Sequence, residues 1–196
     1  RSMRDVLSSH RGMARASIGA ISKEKSMSKP AAAFEPLALA VLTVSDTRTP
    51  ENDASGDLLV HRLEEAGHHL QARHIVKDDI YQLRKVVSEW IADERIQGII
   101  TTGGTGFSGR DSTPEALGVL FDKHIEGFGE LFRQVSVADI GSSTIQSRCL
   151  AGLANRTVIF CLPGSNNACA TGWDRIIRDQ LDARHRPCNF VAQIRR

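Results

Sequence analysis

From Leu37 to Val44 the chain reads Leu-Ala-Leu-Ala-Val-Leu-Thr-Val, an unbroken apolar run with Thr43 as its one polar position. Continuous rather than alternating hydrophobicity predicts a strand covered on both faces. A polar loop follows, and Leu58, Leu59, Leu63 and Ala66 then recur at helical spacing up to Gly67, which closes the helix. Leu70 to Val76 predicts a second strand ending at Lys77-Asp78-Asp79, and Ile80, Leu83, Val86, Val87, Trp90 and Ile91 form one helical stripe. Gly98 to Thr102 predicts a third strand, which runs into the glycine-rich segment Gly103-Gly104-Thr105-Gly106-Phe107-Ser108-Gly109-Arg110-Asp111. Pro114, after Thr113, opens the next helix, because a missing N–H costs nothing at a first helical position. Helical segments around Glu115 to Phe121 and Gly129 to Val137 lead to a polar stretch, Gly141 to Arg148. A fourth strand, Thr157 to Leu162, enters Pro163-Gly164-Ser165-Asn166-Asn167, and a last helix runs to about Leu181.

Strands alternating with helices predict right-handed crossovers in a three-layer α/β/α sandwich with a mostly parallel sheet. No repeat or boundary interrupts the pattern, so residues 30–196 are expected to form one domain and residues 1–29 a basic, disordered extension. In such a sheet every strand-to-helix loop opens on the same edge. Ser45-Asp46, Asp78-Asp79, the glycine segment through Asp111, and Pro163-Gly164-Ser165 are therefore expected to share one rim.

The charge distribution narrows the partners. The net charge of the chain is +2, but residues 1–29 hold seven basic against two acidic residues, which leaves the remainder at −3. A mildly acidic body excludes a broad nucleic-acid face, and no apolar run is long enough to cross a bilayer. Cys149, Cys161, Cys169 and Cys188 form no C-x-x-C pair and read as reduced thiols of a cytoplasmic protein.

Glycines 103, 104 and 106 leave room for successive backbone N–H groups to converge on phosphate oxygens, with the donors of the following helix beside them. Gly104-x-Gly106-x-x-Gly109 formally matches the dinucleotide fingerprint, but the helix starts too late and no strand-end acid follows about 20 residues on. A P-loop is excluded because no Gly-Lys-Ser/Thr follows. Asp78 and Asp111 each follow a strand on the rim, where two carboxylates flanking a phosphate could hold Mg²⁺ between substrate oxygens. Asp78 or Asp79 could instead cap the helix beginning at Ile80, and Asp111 could be a turn residue. Ser165 could present a hydroxyl to a ligand or cap the last helix, and Asp46 suits turn chemistry. His68-His69 is read as solvated, and Trp90 and Trp173 as packing residues.

Taken together, Leu42-Thr43-Val44-Ser45-Asp46, Thr101 to Gly106 with Asp111-x-Thr113-Pro114-Glu115-Ala116, Gly127-Phe128-Gly129-Glu130 and Leu162-Pro163-Gly164-Ser165 closely resemble the MoaB/Mog family of molybdenum cofactor biosynthesis proteins. The resemblance covers about residues 37 to 190, and the ending Leu181 to Phe190 is similar to the B-type branch. It implies a molybdopterin-binding fold and Mg-ATP-dependent adenylylation of molybdopterin, or binding and delivery of the pterin without catalysis. By the same resemblance Asp78 and Asp111 are catalytic and hold the metal. Ser45, Asp46, Gly103, Gly104, Thr105, Gly106, Pro163, Gly164 and Ser165 would bind pterin or nucleotide. Other proteins of the pathway are the implied partners, and the implied assembly is a homo-oligomer, a trimer or hexamer.

Overall fold

The computed structural model describes residues 32–195. The expected extension, residues 1–29, lies outside the described residues.

Six strands form one sheet in the order β2-β1-β3-β6-β5-β4. Strands β1 (Ala38–Val44), β2 (His69–Val76), β3 (Gly98–Thr102) and β6 (Thr157–Leu162) pair in parallel, as the alternation of strands and helices predicts. Helices cover both faces. Leu59 and Leu63 of α1 (Ala54–Glu65), Phe128 and Phe132 of α4 (Glu126–Ile140) and Cys169 of α5 (Asn166–Gly172) pack on one face with Leu39, Val41 and Phe160. Leu83, Val87 and Trp90 of α2 (Ile80–Ala92) and Ala116 and Leu117 of α3 (Thr113–Leu117) pack on the other with Leu42, Ile99 and Cys161. A buried side chain of this size contributes about 1.5–3 kcal/mol, so the two clusters, rather than surface ion pairs, hold the layers together. The last helix continues from α5 through a π-helical turn, Trp173–Ile177, into Arg178–Gln180.

The sheet is mixed, and its antiparallel flank is a finding the apolar pattern does not predict. β5 (Leu150–Ala154) pairs antiparallel with β6, and the two-residue β4 (Lys123–His124) pairs antiparallel with β5. Asn155 and Arg156, both at positive φ (46° and 60°), make the two-residue turn between β5 and β6. The Asn155 amide donates to Asp122 Oδ2 at 2.7 Å, which anchors this turn to the chain leading into β4.

His68 corrects the expectation of a solvated pair. It is buried between Phe34 and Trp173, its Nδ1 accepts the Leu37 N–H at 3.1 Å, and burial pushes its pKa down to about 4, while His69 is exposed. Trp173 packs in the core, and Trp90 stacks on His74 with ring centroids 5.7 Å apart. All four cysteines are free, three of them buried, and burial raises the Cys161 thiol to about 12.

Candidate functional site

Parallel strands β2, β1, β3 and β6 end on one edge, and bonds join the exit of β3 to that of β6 and the exit of β1 to that of β2. Gly103 N–H donates to Leu162 O at 3.0 Å, Thr102 Oγ1 to Pro163 O at 3.0 Å, and Ser45 N–H to Val76 O at 2.9 Å. Gly103 (φ +106°) and Gly104 (φ +67°) occupy backbone conformations that L side chains rarely adopt. A Cβ on Gly103 would collide with Val44 O, and one on Gly104 would lie 2.6 Å from Asp78 Oδ2. Glycine here lets the loop fold back against β1 and lets a carboxylate approach its backbone.

Above these exits lies a cleft of about 620 Å³. Ser45, Gly103, Gly104, Thr105, Gly106, Asp111, Pro163, Gly164 and Ser165 line it, so three of the four rim segments meet in one place. Thr43, Ser55 and Thr102 contribute hydroxyls, and Phe132, Ser136, Asp139 and Ile140 of α4 form another part of the wall. The backbone N–H groups of Gly104, Thr105, Gly106 and Phe107 donate to nothing among the described residues. Loop amides left open in this way suit an anionic ligand.

The two adjacent aspartates after β2 divide their tasks. Asp79 Oδ1 accepts from Tyr81 and Gln82 N–H, both at 2.9 Å, and caps α2. Asp78 is thereby left over; it lies behind the glycine loop, 8% exposed, where Oδ1 accepts Ser112 N–H at 3.1 Å and the Ser112 hydroxyl. Burial raises its pKa above the ordinary carboxylate value, Ser112's donors oppose this, and the nearby charges of Asp111 and Asp46 add to the rise. Asp111 lines the cleft itself, its Oδ2 accepting Ser108 N–H at 2.7 Å. Asp46 stands outside the cleft wall. It binds Arg110 through two contacts of 2.8 and 2.7 Å and accepts Asp78 N–H at 3.2 Å, tying the β1 exit to the glycine loop. Ser165 accepts Ala168 N–H at 3.1 Å as the cap of α5 and also lines the cleft.

Two groups central to this geometry carry little local signal. Asp53, fully buried, accepts from Thr43 Oγ1 at 2.8 Å, Gly56 N–H at 3.1 Å and Arg73 at 2.8 Å, fixing the start of α1 beneath the cleft. Arg148 donates through Nε to Gly106 O at 2.8 Å and through Nη2 to Asp111 O at 3.2 Å, and it pairs with Glu115. Only the cap position of Asp53, just before a helical stripe, could have been read ahead. Arg148 meets partners more than 30 residues away.

No group of three or more His, Cys, Asp or Glu residues among the described residues is arranged to hold a metal ion. The hard oxygen donors Asp78 and Asp111 fit the other common arrangement for Mg²⁺, in which one or two carboxylates act with substrate phosphates and retained waters.

A family described as "Probable molybdopterin binding domain" matches residues 40–183. The chain is 50% identical over 170 residues to molybdenum cofactor biosynthesis protein B of Escherichia coli (strain K12), covering 87% of this chain and 100% of that one. It is 46% identical over 142 residues to the protein of the same name from Bacillus subtilis (strain 168), covering 72% and 84%. Among solved structures, a molybdenum cofactor biosynthesis protein B superposes with a TM-score of 0.74 at 42% identity, covering 76% of this chain and 94% of that one. The tungsten cofactor synthesizing protein MoaB from Pyrococcus furiosus superposes with a TM-score of 0.66 at 37% identity, covering 74% and 92%.

Proposed function

This chain belongs to the molybdopterin-binding family of molybdenum cofactor biosynthesis proteins, and from that premise we propose that it adenylylates molybdopterin. The terminal phosphate of the pterin attacks the α-phosphate of ATP. One P–O bond forms to the incoming phosphate oxygen, the bond to the β-phosphate breaks, and pyrophosphate leaves. The observation that carries this reading is the meeting of the unpaired amides of Gly104, Thr105 and Gly106 with the Asp111 carboxylate in the wall of one cleft, with Asp78 buried behind the loop.

The residues have separable tasks. The N–H groups of Gly104 to Phe107 hold phosphate oxygens in place before reaction, so that charge developing at phosphorus meets dipoles already oriented. Ser45 and Ser165 offer further polar contacts around the nucleotide or pterin phosphate. Mg²⁺ held by Asp78 and Asp111 would supply positive charge against the phosphate oxygens. Asp78 suits this task because its burial and the neighbouring Asp111 and Asp46 charges disfavour a lone carboxylate and so favour an arriving cation. Attacker and leaving group held in line convert a three-body encounter into a unimolecular step.

The same reading includes a homo-oligomer, a trimer or hexamer, working with other proteins of the pathway in the cytoplasm. Val137, Ile140 and Ile145, 53%, 47% and 73% exposed on and just beyond α4, support self-association, which sedimentation would check. Incubation with molybdopterin, ATP and Mg²⁺ should yield adenylylated pterin and pyrophosphate. Calorimetry showing pterin binding, with no product and no ATP affinity, would instead select a protein that binds and hands on the pterin.

A further inference from the structure

The open amides of the glycine loop require that the opposite ends of those peptide units be turned elsewhere. In a trans peptide the C=O and N–H point in opposite directions. Arg148 collects three such carbonyls: its own N–H donates to Thr105 O at 3.0 Å, Nε to Gly106 O at 2.8 Å and Nη2 to Asp111 O at 3.2 Å. Arg148 is not part of the cleft wall. The N–H ends of the same three peptides belong to Gly106, Phe107 and Ser112. The first two are open, and the third donates to Asp78 Oδ1 at 3.1 Å.

The guanidinium is itself held. Its side chain is 24% exposed, Glu115 pairs with its remaining nitrogen, and its carbon lies 5.1 Å from the centre of the Phe107 ring. A planar fork with several donors can fix two carbonyls at once, which an ammonium cannot do with the same geometry.

We propose that Arg148 is the positioning residue of this site: by holding the Gly106 and Asp111 carbonyls with its guanidinium, beside the main-chain bond from its N–H to Thr105 O, it aims the loop amides at an anion and fixes Asp78 through the Asp111–Ser112 peptide. Arg148 stands outside the cleft wall and acts on the site through the loop. The inference rests on the adenylylation reading for the identity of the anion, a nucleotide phosphate, and on the geometry alone for the order of the loop.

The test compares Arg148→Met, which keeps the apolar stem and loses the donors, with Arg148→Lys and with Arg84→Met. Arg84 is a matched control, since it also donates to two carbonyls, Ala116 O at 3.2 Å and Glu115 O at 3.1 Å, but none in the glycine loop. In Arg148→Met, amide exchange at Asp111, Ser112 and Thr113 should quicken by about tenfold or more while core strands keep their protection. Affinity for Mg-ATP, read by calorimetry, should fall by about tenfold or more. Arg148→Lys should recover part of both, and Arg84→Met should change neither. If wild-type protein transfers the adenylyl group, KM for ATP should rise in Arg148→Met and partly recover in Arg148→Lys. Unchanged loop exchange in Arg148→Met, or an equal change in Arg84→Met, would overturn the proposal. Quickened exchange and Mg-ATP loss confined to Arg148→Met, in a protein whose wild type forms no product, would support the role of Arg148 and count against adenylylation.

Discussion

Asp78 and Asp79 are neighbours in the chain with opposite surroundings: Asp79 is exposed and caps α2 with its carboxylate, while Asp78 is buried against Ser112 behind the glycine loop. Because Asp79 satisfies the first-turn donors of the helix, the Asp78 carboxylate is released from local structure. It is then available to chemistry at the end of β2.

Substitution at the two positions should separate stability from turnover. Asp79→Ala should cost about 1 kcal/mol in urea unfolding and leave the adenylylation rate close to wild type. Asp78→Asn should unfold much like wild type and turn over about 100-fold more slowly.

Gly104 and Gly109 make a second pair. Alanine at Gly104 must adopt φ +67° and bring its Cβ against Thr113 Oγ1 and Asp78 Oδ2, whereas a Cβ at Gly109 meets no heavy atom within 4 Å. Thermal unfolding should show Gly104→Ala destabilised by about 1–3 kcal/mol, with Mg-ATP binding lost. Gly109→Ala should stay within about 0.5 kcal/mol of wild type.

Removal of Mg²⁺ with a chelator should bring product formation to background, and added Mg²⁺ should restore it. In Asp111→Asn the Mg²⁺ concentration for half-maximal rate should rise by about tenfold or more. An unchanged Mg²⁺ dependence would remove Asp111 from the metal-binding pair.

His68 should dominate the acid sensitivity of the fold. Its folded pKa of about 4 lies below the ordinary 6.5, so the neutral ring contributes stability fully above pH 6.5. That contribution is lost as pH falls through 4, and the difference amounts to about 3 kcal/mol. His68→Asn, whose Oδ1 can still accept the Leu37 N–H, should flatten the dependence of unfolding free energy between pH 6.5 and 4.

The parallel half of the fold was legible because β1, β3 and β6 are apolar on both faces, and such runs announce themselves without partners. The antiparallel flank was not. β4 has two residues, and the turn joining β5 to β6 puts Arg156 where a hairpin signal would carry Gly. The rim was legible from topology, since parallel strands must open their loops on one edge, and the cleft takes in Ser45, the glycine segment, Asp111 and Pro163 to Ser165. Which of Asp78 and Asp79 caps α2 depended on backbone angles that residue type does not specify. Arg148 stayed hidden because its partners come from distant segments, and Asp53 offered only its cap position, since its bonds to Thr43 and Arg73 lie beyond the local sequence.

Arg148 reaches Gly106 across a separation of 42 residues, so the chain that leaves the sheet at Gly103 must complete α3, β4 and α4 before it can return to brace its own point of departure. The arrangement of the glycine loop therefore belongs to the finished molecule and to no fragment of it. A nucleotide bound there should recognise only fully assembled protein and shift the folding equilibrium by the full RT ln(1 + [L]/Kd). Substrate supply in the cell would then set how much of this chain survives proteolysis, making the abundance of the protein a function of the pathway it serves.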